Sequence, residues 1–116
     1  MRLIILLGIF ILVTGCLQQN NVVEIMGDGF HPKELAINNG ETVIFVNKDT
    51  APHWPASGMH PTHTDYPEPG GCIGSKFDAC GGLNRGESFS FTFTQNGEWE
   101  YHDHLNSGLN GRIIVK

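Results

Sequence analysis

Between residues 87 and 94 phenylalanine alternates with serine or threonine. Phe89, Phe91 and Phe93 take every second position, and Ser88, Ser90, Thr92 and Thr94 take the others. A period of two puts the rings on one face and the hydroxyls on the other, the pattern of a strand half-buried against a core. Similar runs recur along the chain. Residues 21–25 are rich in β-formers and stop at Gly27-Asp28-Gly29, and residues 34–37 form a second short run. Residues 42–47 are densely β-branched and are expected to be buried on both faces. Further strands are predicted over 99–104 and 112–116. The turns at Asn38-Asn39-Gly40-Glu41 and Gln95-Asn96-Gly97-Glu98 carry Asn-Gly pairs, which accept the positive φ of tight hairpins. With short strands, glycine-bearing turns and no helical period, the pattern predicts an all-β sandwich.

The alternation fails from 48 to 85. This stretch holds every proline except Pro32, the glycine pairs Gly70-Gly71 and Gly81-Gly82, and both Cys72 and Cys80. A loop of this length held between strong strands is expected to be functional, with room for a short strand of its own.

The N-terminus follows another logic. Met1-Arg2 precedes an apolar run from 3 to 13, which closes on Thr14-Gly15-Cys16. The run is short for a membrane span and has the layout of a secretion signal. Its end resembles a bacterial lipobox, which implies a lipoprotein signal peptide over 1–15, acylation of Cys16, a polar tether over 16–21 and a single domain over 22–116. The alternative is an uncleaved anchor. Either way the domain is expected outside the cytoplasm, tied to the membrane. Without Arg2 the chain has six Lys and Arg against twelve Asp and Glu. Nucleic acid is excluded as a partner, because phosphate contacts need a basic surface. In an oxidising compartment Cys72 and Cys80 are most simply a disulfide; the alternative makes one of them a thiolate metal ligand.

Five of the six histidines fall in two places. His53, His60 and His63 lie in the long loop; His102 and His104 lie on the penultimate predicted strand. His31, before Pro32, is expected to be ordinary surface. Imidazole is a common ligand of copper, zinc, iron and nickel. Two histidines at i and i+2 on a strand point the same way and can share an ion. Alternation sends Trp99, Tyr101 and Asp103 toward the core and Glu100, His102 and His104 outward, where His60 and His63 can come down on them from the loop.

The chain then resembles the cupredoxin family over nearly the whole domain. Phe30-His31-Pro32 through Gly40-Glu41-Thr42-Val43 is similar to the family's opening strand and turn. Phe45 through Pro52-His53 is similar to the segment that delivers its first copper-ligating histidine, Gly86 through Phe93 and Gly97 through Tyr101 to the strands before its second ligand cluster, and Gly111 through Val115 to its last strand. The resemblance implies a Greek-key β-sandwich and a copper cofactor. The blue-copper ligand pattern is broken: counting back from Gly111 puts Leu109 at the Met place, Asn106 at the His place and Asp103 at the Cys place, so only His53 remains. Without a thiolate no blue copper site is expected. Tyr101-His102-Asp103-His104 with Gly108-Leu109-Asn110-Gly111 instead resembles the multicopper oxidases, whose paired histidines bind copper between domains.

The leading expectation is an exported lipoprotein holding copper, as Cu(II), for copper handling or electron transfer, with zinc as the competing ion. The expected ligands are His53, His102 and His104, joined by His63 and His60. An inward site made by His53 and Asp103 is the alternative pocket. Expected partners are the membrane, through the lipid, and a redox or copper-transfer protein. Two other functions stay open. One is a copper-dependent oxidoreductase, completed by assembly of several chains into a homo-oligomer. The other is a metal-free structural domain.

Overall fold

The computed structural model describes residues 21–59 and 62–116. The signal peptide, Cys16, most of the tether and His60 lie outside the described residues. Eight strands follow in chain order: β1 Asn21–Met26, β2 Gly29–His31, β3 Glu34–Ile37, β4 Thr42–Asn47, β5 Pro55–Ser57, β6 Ser88–Thr92, β7 Gly97–Asp103 and β8 Asn106–Val115. They form two four-stranded sheets, ordered β2-β1-β4-β6 and β3-β8-β7-β5. β1 runs parallel to β4 and β3 parallel to β8; the other pairs are antiparallel. The all-β sandwich expected from alternation is the architecture.

The inner faces meet in an aromatic core. Val43 and Phe45 of β4 and Val23 and Ile25 of β1 pack from one sheet; Tyr101, Ile113 and Val115 pack from the other. β4 is not buried on both faces as expected. Val43, Phe45 and Asn47 are fully buried, whereas Ile44 and Val46, which point to the outer side of that sheet, are only half-buried. On β6 the hydroxyl face is exposed and the phenylalanines point inward, as their alternation predicts.

The long loop is part of the core and not a loose appendage. Phe77 lies against Phe45, Phe91, Phe93 and Tyr101, with ring centroids 4.9–5.7 Å apart. Tyr66 meets Phe91, Phe93 and Trp99 edge-on. Two fully buried aromatic rings contribute on the order of 3–6 kcal/mol of apolar burial, enough to hold the loop down. The bridge between Cys72 and Cys80 is formed. Inside it, Asp78 accepts hydrogen bonds from the backbone N–H groups of both cysteines, at 2.8 and 2.7 Å, and from Trp54 Nε1 at 2.7 Å. Serine at both cysteines should lower the unfolding free energy by about 2.5 kcal/mol, the loop-closure value for so short a segment, as read from urea denaturation. Thiol titration of the unreduced, unfolded mature domain should find neither Cys72 nor Cys80 free.

Two details of the second sheet set up the site. Tyr101 on β7 faces Gly111 on β8, and a Cβ at Gly111 would overlap the Tyr101 hydroxyl and the Lys33 carbonyl. The glycine lets the ring lie across the neighbouring strand. The β7–β8 register then jumps between His102, which pairs with Asn110, and Asp103, which pairs with Asn106. The irregularity re-aims the end of β7, as bulges do.

Candidate metal centre

Position 47 begins the construction of the site. Asn47 has the inward parity of Val43 and Phe45, so a polar side chain enters the core at the end of β4. Its Nδ2 donates to the carbonyls of Ala51 and Leu83, at 2.8 and 2.7 Å, and its Oδ1 accepts from the Asp49 N–H. Both limbs of the long loop are thereby tied to one residue, as buried amides require. His53 follows, fixed by a two-way backbone bridge to Leu83.

His53 is buried and sits between two carboxylates. Its Nδ1 is 2.6 Å from Asp103 Oδ2 and its Nε2 is 2.8 Å from Asp49 Oδ2. Each ring nitrogen thus faces a carboxylate oxygen, which favours the protonated ring. Burial penalises that charge, but the hydrogen bonds and charges of Asp103 and Asp49 outweigh it and hold the His53 pKa above its ordinary value. The bond from His53, aided by the Thr50 N–H, holds Asp49 below the usual carboxylate range.

The sign of the pH dependence follows. The His53 contribution to stability is complete below the unfolded value of 6.5 and is lost as pH rises through the higher folded pKa. The Asp49 contribution is complete above 3.8 and is lost as pH falls through the lowered folded pKa. The melting temperature of the metal-free protein should therefore fall as pH is raised above 6.5, and this slope should flatten in His53→Gln.

Asp103 has further duties. Its Oδ1 accepts from the N–H groups of Trp54 and Leu105, at 2.8 and 3.0 Å. The residue at the family's Cys place is thus fully buried and engaged, and Leu109, at the Met place, packs half-buried against the core. The inward pocket does not fit a blue copper ion, because it offers no sulfur.

A second group of histidines lies on the other side of β7. His63, His102 and His104 each present a ring nitrogen, and these three atoms lie within 4.8 Å of one another. His102 comes from β7 and His104 from the turn after it, one residue beyond the strand. His63 comes from the long loop, with φ at 53°. Ring centroids are 4.8 Å apart for His63 and His102, 4.9 Å for His63 and His104, and 6.0 Å for His102 and His104. His63 and His102 are buried and His104 is half-buried.

The frame around these rings is tightly made. The His63 N–H donates to the Met59 carbonyl at 2.6 Å, and His63 Nδ1 lies 3.3 Å from the Ser57 carbonyl. An imidazole that donates Nδ1–H to a carbonyl keeps its lone pair on Nε2, the arrangement of metal-binding histidines. Tyr66 N–H donates to Ser57 Oγ, and Glu100 N–H donates to Asp65 Oδ2, so the loop is stitched to β5 and β7 on either side of His63. Trp54 packs edge-on against His104 at 4.7 Å, and the His104 N–H donates to the Trp54 carbonyl.

The donor set fits a copper or zinc ion. Metal–imidazole bonds are about 2.0–2.1 Å long, so closure on one ion asks each ring to move by less than about 1 Å. His53 is not one of these three; its ring lies with Asp103 and Asp49 on the inward side. Cys72 and Cys80 also lie near Asp78, but their sulfurs are bonded to each other. His31 is exposed and paired with Asp28 at 2.7 Å.

No family model matches the chain, and no curated protein matches it. Solved structures do. An oxidised amicyanin variant is 24% identical, with 82% of this chain and 80% of that chain covered and a TM-score of 0.64. A purple cupredoxin from Nitrosopumilus maritimus is 22% identical, with 84% and 100% covered and a TM-score of 0.68. A Cu(I) form of another amicyanin variant is 21% identical, with 84% and 82% covered and a TM-score of 0.64. With two four-stranded sheets joined in this order and a long loop packed into their core, the chain has the cupredoxin fold.

Proposed function

We propose that the chain is an exported, lipid-anchored copper-binding protein that holds Cu(II) through His63, His102 and His104 and serves copper handling or electron transfer. The observation that carries this reading is the convergence of three imidazoles, two of them buried, on one spot of a stitched frame. Three imidazoles at metal-ligand spacing suit a divalent ion. When bound, copper would supply one-electron redox chemistry. The chain's own residues would set its ligands, exclude much of the water and hold the His63 tautomer. The signal-like N-terminus supports the extracytoplasmic, membrane-tied location, and a disulfide suits an oxidising compartment.

The test is metal analysis of the folded chain, with absorption and paramagnetic-resonance spectra after Cu(II) loading. The expected protein is pale, with nitrogen hyperfine structure and no intense thiolate band. An intense thiolate band, or no retained copper, overturns the reading. A cavity of about 340 Å³ adjoining His102 favours a second reading, a copper-dependent oxidoreductase with a small substrate entering there. Turnover of oxygen or superoxide by the copper-loaded chain distinguishes the two.

A further inference from the structure

Met59 stands beside the histidine cluster without belonging to it. The residue is 60% exposed, the largest value among the large apolar residues described. A single exposed apolar residue needs no explanation by itself. Its position does. The Met59 carbonyl receives the His63 N–H at 2.6 Å, which closes the turn carrying that ligand. Met59 also lines the same cavity as His102. A thioether residue is therefore attached through the backbone to one ligand and shares an open space with another.

The chemistry of the two donor types is complementary. Imidazoles serve Cu(II) well, whereas thioether sulfur is soft and selects Cu(I). Methionine has three rotatable bonds and adapts its shape, so an exposed one can turn into the cavity without disturbing the core. We propose that Met59 supplies a thioether donor to copper(I) held by His63, His102 and His104, so that the centre retains its ion when the copper is reduced. The inference rests on the proposed metal centre and adds a ligand that the ion uses in one oxidation state only.

Met59→Leu keeps volume and polarity and removes the sulfur. Cu(I) affinity of the full chain is measured by competition with bicinchoninate, and Cu(II) affinity by competition with glycine. The expected result is a loss of about tenfold or more in Cu(I) affinity, comparable at least to the loss of an outer-shell partner, with Cu(II) affinity changed less than about twofold. At fixed Cu(II) affinity, each tenfold loss for Cu(I) lowers the reduction potential by about 59 mV. X-ray absorption of the Cu(I) protein should show a sulfur neighbour that disappears in Met59→Leu. Equal Cu(I) affinity in Met59→Leu and the unsubstituted chain, with His102→Ala defective, overturns the Met59 assignment and leaves the centre standing. Equal weakening for both ions also overturns it, since that is the mark of a disturbed turn. No binding of either ion by the unsubstituted chain overturns the centre and the inference together.

Discussion

Alanine at His102 or at His104 should each weaken Cu(II) binding by about 100-fold or more. Losing a residue that only hydrogen-bonds a ligand costs roughly 10–100-fold in metal affinity, and losing a direct ligand should cost at least the upper end. His63→Ala should fall in the same range, because its ring stands within 5 Å of both others. His31→Ala is the control: an exposed ring paired only with Asp28 should leave affinity unchanged. The decisive comparison is His53→Gln. Its ring is committed to Asp49 and Asp103, so the substitution should lower stability while the folded fraction binds Cu(II) as before. Chelator competition on folded protein reads the affinities, and thermal unfolding reads the stabilities. Copper binding that survives at His102→Ala and His104→Ala but vanishes at His53→Gln would move the site to the inward pocket.

Much of this was legible in the alternation of side chains. β3 and β4 have the bounds that their β-branched runs predict, and β6 and β7 differ from expectation by one to two residues at their ends. The spacing of His102 and His104 marked the outward face of β7, while Tyr101 and Asp103 went inward as the period requires. Other features depend on tertiary structure. β2 is three residues long and begins on a glycine, too little to carry a periodic signal. β8 begins at Asn106, six residues before the apolar run that announces it, because Asn106 to Gly111 pairs across an irregular register that no local preference encodes. Tyr66 and Phe77 sit among prolines and glycines, where no alternation marks them as core. Those two rings help pin the loop that brings His63 to the cluster.

The inward pocket shows the same division. Resemblance to a copper family put His53 at a ligand place and Asp103 at the Cys place beside it. What neither revealed was that Asp49 would close on the second ring nitrogen. One signal was available at Asn47, whose parity with Val43 and Phe45 announced a polar side chain in the core. A residue of that kind organises the loop around it, and His53 lies six positions further on.

Asp103→Ala should destabilise the domain by about 3–5 kcal/mol, the range for removing one member of a buried ion pair. Asp103 is fully buried, and its two oxygens serve His53, the Trp54 N–H and the Leu105 N–H. Alanine leaves two backbone donors without an acceptor and the imidazolium with Asp49 alone. Asn separates these effects. It keeps an oxygen for the Trp54 and Leu105 N–H groups but sets an NH₂ group against the donating Nδ1 of His53. Asp103→Asn should therefore cost less than Asp103→Ala, and most of its cost should come from His53. A double-mutant cycle tests this directly: Asp103→Asn and His53→Gln together should cost less than the sum of the two alone, by about 1 kcal/mol or more, as expected of residues in one hydrogen-bonded network. Urea unfolding of the metal-free protein below pH 6.5, where His53 is charged in both states, gives the four values. Additive costs would mean that the His53–Asp103 pair does not hold the end of β7, and that the frame beneath His102 and His104 is set by the backbone bonds alone.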